Sequence, residues 1–180
     1  MKTLTSLTAA IIFALLLNIS SASAGSHEKK GHKLFNLELN DMQKKDVEIM
    51  DFTKVGRFTV IVFFADYCAP CNTELDSINK TFISWKNNYN TNFVAVCVSN
   101  DQNINRIKEK AASHSWSFNM LLDSRNEAMN MMHIAHIPYT VVVDENGYVV
   151  YQHDGYSAEN ISNIQNIISN GVSTLNLAVK

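Results

Sequence analysis

Two runs along the chain are apolar without interruption and rich in β-branched and aromatic residues: 59–64 (Thr-Val-Ile-Val-Phe-Phe) and 93–98 (Phe-Val-Ala-Val-Cys-Val). A strand with one wet face alternates, whereas a strand apolar at every position is covered on both. Each run is followed by a helical pattern. Residues 72–85 carry Leu75, Ile78, Phe82 and Trp85 at spacings of three and four, and 104–112 continue in the same way. The order strand, helix, strand, helix predicts crossover connections in a sheet with helices above and below it.

The flanking patterns are shorter. Leu34, Phe35, Leu37 and Leu39, then Val47-Glu48-Ile49, read as short strands separated by the polar stretch 40–46. After Leu121-Leu122-Asp123, a Met-containing helix is expected over 126–132. Strands are expected over 140–143 and 148–151, joined by Glu145-Asn146-Gly147. Asn-Gly between two apolar runs is a strong hairpin signal. A last helix follows, with Ser157 as N-cap, Ile161, Ile164 and Ile168 on one face, and Asn170-Gly171 as its stop. The pattern is that of an α/β fold: a central mixed β-sheet flanked by helices, ending in a β-hairpin plus helix.

The N-terminus changes where this domain is expected to work. Met1-Lys2, the apolar run 9–17 and Ala22-Ser23-Ala24 have the layout of a cleavable signal peptide over 1–24, which predicts a periplasmic or otherwise exported protein. An uncleaved membrane anchor is the alternative, but the run is short for a bilayer. No cysteine near the cleavage position indicates a lipid anchor. Residues 25–33, with Lys29, Lys30 and histidines, read as a flexible lead-in, and 34–180 as the domain. A composition 46% hydrophobic and 18% charged supports one domain with a real core, and a net charge of -2 argues against nucleic acid as a partner.

Export changes the reading of the three cysteines, because thiols outside the cytosol can persist as disulfides. Two are three apart, in Cys68-Ala69-Pro70-Cys71, and Cys97 stands alone in an apolar strand, where it is expected to be inert. A structural disulfide framework would need more cysteines at wider spacing, and zinc would need about four ligands, whereas the other candidates are scattered. The pair falls where a buried strand passes into a helix. There Cys68 meets free backbone N–H groups and the positive helix end, both of which stabilise a thiolate. Cys71 lies one turn in, on the same face, and Pro70 suits a first turn. The chemistry expected is disulfide exchange, with Cys68 attacking and Cys71 resolving. Pro138, before a strand, is either an ordinary trans strand-entry proline or a cis bond turning tightly against the redox loop.

Together these segments resemble the exported TlpA/ResA-like branch of the thioredoxin superfamily over most of the chain. Residues 63–71 (Phe-Phe-Ala-Asp-Tyr-Cys-Ala-Pro-Cys) look like its strand and active-site loop, and 137–147 (Ile-Pro-Tyr-Thr-Val-Val-Val-Asp-Glu-Asn-Gly) like its cis-proline, strand and turn. The β-α segment 94–122 is similar to its insertion. The resemblance implies a thioredoxin-like fold, a substrate-binding role for Tyr67, Ile137 and Pro138, and a redox loop completed by Ala69 and Pro70. It also implies that Glu74 accepts the Cys71 proton, although by sequence alone Glu74 reads as a solvated helix charge. The chain departs from the pattern at Tyr67 (often Trp), at Asp76 (often a helix-kinking Pro) and at His136 (often small). His136 is three after His133, a spacing that shares a helix face if the helix extends so far; a surface or capping histidine is the plain alternative.

The function expected is that of a monomeric, exported thiol-disulfide oxidoreductase acting as a reductant. No cofactor beyond the cysteine pair is expected. The partners implied by the resemblance are disulfide-containing exported proteins, apocytochromes among them, and a membrane thiol-disulfide electron carrier. Net oxidase or isomerase activity is one alternative. A Cu(I) metallochaperone using Cys68, Cys71 and His136 is another, since thiolates suit Cu(I). A peroxide-reducing enzyme is disfavoured, because no Pro and Thr arrangement precedes a single reactive cysteine.

Overall fold

A computed structural model describes residues 31–53, 58–99 and 103–178, with side chains only as far as residue 171 of the last helix. The signal segment expected over 1–24, and 25–30 of the lead-in, lie outside the described residues. The strands are β1 (Glu38–Asp41), β2 (Asp46–Glu48), β3 (Thr59–Phe64), β4 (Asn92–Cys97), β5 (Asn119–Leu122), β6 (Tyr139–Val143) and β7 (Val149–Asp154). The helices are α1 (Ala69–Tyr89), α2 (Ile104–Ser113), α3 (Glu127–Met131) and α4 (Asn160–Ala178). The strands form one mixed sheet in the order β2-β1-β5-β4-β3-β6-β7. β3 pairs parallel with β4 and antiparallel with β6, and β4 pairs parallel with β5.

β3 is central and buried at all six positions, as its unbroken apolar sequence requires. Its side chains divide between two cores by the period-2 rule. Val60, Val62 and Phe64 pack with Cys71, Leu75, Ile78, Phe82 and Trp85 of α1, Ile107 of α2, and Ile164 and Ile168 of α4. Ile61 and Phe63 face the other way, onto Leu34, Leu37, Leu39, Ile49, Ala128 and Ile134. Helices therefore flank the sheet on both faces, but unequally. The three long helices share one face, and the N-terminal segment with the short α3 seals the other. Leu34 and Leu37 before β1, and Ile49 after β2, supply most of the apolar cover there that the short α3 leaves open.

Other boundaries also move. Residues 34–37 are not a strand; β1 starts at Glu38 and pairs on its far side with β5. The end of the expected lead-in is packed. The Val149 N–H donates to His32 O at 2.9 Å, Lys33 bridges Tyr148, and the Leu34 N–H donates to Gly147 O at 3.0 Å. Gly31 is required there, because a Cβ would lie 1.7 Å from Val149 O. Ser157 forms the turn before α4, its Oγ accepting from the Glu159 N–H at 3.2 Å, and the helix itself begins at Asn160. Asn170-Gly171 does not stop α4, which runs on to Ala178. The glycine is there for packing: a Cβ on Gly171 would come within 2.3 Å of the Phe58 ring.

Candidate active site

Cys68 is the N-cap of α1, and Pro70 sits in the first turn, where its missing N–H costs nothing. Cys68 and Cys71 are joined in a disulfide with Cα atoms 5.3 Å apart. The two sulfurs differ in access: Cys71 is fully buried, while Cys68 is only half-buried. The Cys71 N–H donates to Cys68 Sγ at 3.2 Å, so one of the free amides of the helix end is already aimed at the outer sulfur. Tyr67, Ala69 and Pro70 are exposed around it, Tyr67 at 76%.

The Ile137-Pro138 peptide is cis, and Ile137 O lies 4.0 Å from Cys68 Sγ. The Gly155 N–H, just beyond β7, donates to Pro138 O at 2.8 Å and ties this loop to the sheet edge. Ile137 and Pro138 thus meet the cysteine loop although they are distant in sequence.

Glu74, three residues into α1 from Cys71, is fully buried and not a solvated helix charge. Oε1 accepts from the Thr140 hydroxyl and from Asn160 Nδ2, the latter at 2.8 Å. Burial pushes its carboxyl above the usual range, and these two hydrogen bonds only partly oppose that. The residues that hold it, Thr140 and Asn160, escaped sequence reasoning. The available signal was periodicity: Asn160 lies four and eight before Ile164 and Ile168, and Glu74 four and eight before Ile78 and Phe82, so both are polar residues on buried faces.

A second buried cluster supports the loop from below. Asp66 Oδ1 accepts from Ser99 Oγ at 2.7 Å, and Oδ2 accepts from Arg106 Nε. Burial works to raise the Asp66 carboxyl, but hydrogen bonds from Arg106 and Ser99 and the Arg106 charge outweigh it and hold the group below its ordinary value. Cys97 Sγ contacts Ser99 Oγ at 3.3 Å, and burial pushes its thiol up, away from reactivity.

Two of the positions that depart from the expected pattern, Asp76 and His136, have local partners. Asp76 Oδ1 accepts from Trp116 Nε1 at 2.8 Å and pairs with His114 Nδ1 at 2.8 Å, pinning α1 to the segment before β5. His136 is exposed and pairs through Nδ1 with Asp154 at 3.1 Å. It does not share a helix face with His133, because α3 ends at Met131 and His133 has φ 51°. Among the described residues no three His, Cys, Asp or Glu side chains converge as a metal site.

The sequence profile of the AhpC/TSA family matches residues 30–152. The thiol-disulfide oxidoreductase ResA of Halalkalibacterium halodurans is 23% identical over 132 residues, which is 73% of this chain and 72% of that protein. The sporulation thiol-disulfide oxidoreductase A of Bacillus subtilis is 23% identical over 108 residues, covering 60% and 66% respectively. Among solved structures, a thioredoxin-like protein from Porphyromonas gingivalis superposes with TM-score 0.69 at 28% identity, covering 80% of this chain and 94% of that one. The mixed sheet and its helices are thus a thioredoxin-like fold.

Proposed function

The chain belongs to the AhpC/TSA family, and from that premise we propose that it is an exported thiol-disulfide oxidoreductase that reduces disulfides in other exported proteins. The activity class follows from relatives named for it. The observation that carries the division of labour is the unequal access of the two sulfurs. Only the outer one, Cys68, is within reach of another protein. Cys71 is close enough to close onto it and too deep to be attacked by a bulky disulfide.

In the reducing direction, the Cys68 thiolate attacks one sulfur of a substrate disulfide. The Cys68–substrate disulfide forms, and the first substrate thiolate leaves and takes a proton from water. Glu74 then accepts the Cys71 proton. The Cys71 thiolate attacks Cys68 Sγ, the Cys68–Cys71 disulfide forms, and the second substrate sulfur leaves as a thiolate that takes a proton from water. Two electrons pass from the cysteine pair to the substrate. A raised carboxyl pKa suits this transfer, since proton exchange with a buried thiol is easiest between groups of closer pKa. Tyr67, Ile137 and Pro138 flank Cys68 and would contact an extended substrate segment, with Ile137 offering its backbone. Oxidised enzyme is recharged by a membrane thiol-disulfide carrier, and apocytochromes are among the clients. The signal-like segment 1–24 supports export.

Cys71→Ser in the exported protein is expected to trap mixed disulfides through Cys68, visible as reducible adducts on gels and identifiable by mass. Absence of adducts, together with full biological activity of Cys68→Ser, would sink the exchange mechanism. A reduction potential near about -270 mV supports the reductant role, whereas one near about -120 mV would make the protein an oxidant.

A further inference from the structure

Glu74 is gripped asymmetrically. Thr140 from β6 and Asn160 from the start of α4 both donate to Oε1, while Oε2 is buried with no hydrogen-bond partner among the described residues. The arrangement continues outward. Tyr151, on β7, donates its hydroxyl to Asn160 Oδ1 at 2.8 Å. An amide has one accepting and one donating end. With Oδ1 engaged by Tyr151, the NH2 end faces inward, 2.8 Å from Glu74 Oε1 and 3.4 Å from Thr140 Oγ1. Turning the amide round would set its carbonyl against Oε1 and demand a proton on that oxygen.

We propose that Asn160 and Tyr151 are positioning residues: they keep Glu74 Oε1 an acceptor and reserve Oε2 as the oxygen that takes up the Cys71 proton. This rests on the reading of Glu74 as that proton acceptor, and adds to it which oxygen acts and what fixes the choice. Two donors saturate Oε1 in both protonation states, so the carboxylate receives its proton where no donor stands in the way. The exchange balances as S–H and COO⁻ giving S⁻ and COOH. The groups bonded to Glu74 are Thr140 on β6 and Asn160 on α4, and Cys71 lies three residues before it, on the same side of its own helix. The outer members are Tyr151 and His153, whose rings stack at 6.4 Å. Burial sets the upward direction of the Glu74 shift, the two hydrogen bonds oppose it, and no charged neighbour enters.

Donors on Oε1 favour the carboxylate, so loosening them moves the Glu74 titration upward. The test uses the reduced full chain and an aromatic disulfide, 5,5′-dithiobis(2-nitrobenzoic acid). It releases one coloured thiolate when Cys68 attacks and a second when Cys71 resolves. Tyr151→Phe is expected to raise the pH midpoint of the second release by about half a unit to one unit, the scale of one neutral hydrogen bond. Thr140→Val, which deletes a donor at nearly constant volume, should move it the same way and serves if Tyr151→Phe does not fold. The first release should keep its pH dependence in both. A midpoint that stays or falls in folded Tyr151→Phe and Thr140→Val, while Glu74→Gln abolishes it, overturns the positioning role. A Glu74→Gln protein that keeps the parent midpoint overturns the underlying reading of Glu74 instead.

Discussion

Asp66 is a buried carboxylate kept charged by its partners, two residues before the outer cysteine. Its folded pKa lies below its ordinary value, so the stability it contributes is full above about 3.8 and is lost as pH falls through the folded pKa. Asp66→Asn should cost about 1.5–3 kcal/mol at neutral pH, the scale of hydrogen bonds to a charged group. The cost should shrink in acid, where the parent also loses its charge. Urea unfolding at pH 7 and at low pH measures both; an equal cost at the two would mean that the carboxylate charge is not what stabilises. The Asp66 cluster was illegible in the sequence because Ser99 lies just beyond β4 and Arg106 on α2, and a residue string does not say which loops meet. The Cys68–Cys71 pair was legible because strand, cap and helix are contiguous.

At the scale of elements, α4 carries the clearest conflict between local rule and packing. A glycine inside a helix costs roughly 1 kcal/mol relative to alanine, so propensity alone favours Gly171→Ala. The added Cβ would meet the Phe58 ring at 2.3 Å, and that ring is buried in the core under β3. Overpacking costs typically about 1–3 kcal/mol and decides the sign. Gly171→Ala is expected to lower thermal stability, and Phe58→Leu should recover part of the loss in the double variant. Additive losses would show that the two positions do not touch. Read from sequence, Asn170-Gly171 is a helix stop; in the fold, the need for a close approach to Phe58 overrides the stop signal. The same distinction explains the sheet. Uninterrupted apolar strands announced two covered faces, but period and propensity could not tell that one cover would be an extended segment.

At the scale of the whole molecule, buried carboxylates of opposite tendency shape the response to pH. Glu74 and Asp123 are both pushed up, chiefly by burial, with the backbone N–H groups of α3 partly offsetting it at Asp123. A raised folded pKa means that the folded state holds its proton longer, so stability falls as pH climbs from the unfolded value through the folded one. Oxidised parent protein should therefore lose stability on passing upward out of the carboxylate range, in opposition to the gain at Asp66. Glu74→Gln and Asp123→Asn should each flatten that fall when melting temperature is followed against pH. A slope unchanged in both variants would remove these carboxylates from the account.

β3, the strand that delivers the cysteine loop, is closed on one side by β4 and on the other by β6, which lies far along the chain. The loop that flanks Cys68 from across the site belongs to that same late segment. In order of synthesis, the Cys-Ala-Pro-Cys sequence is made early and its enclosure arrives near the end. A chain released before β6 would carry both cysteines just beyond an open strand edge, which could pair with a neighbour's edge, and would have no second wall to select what its thiols meet.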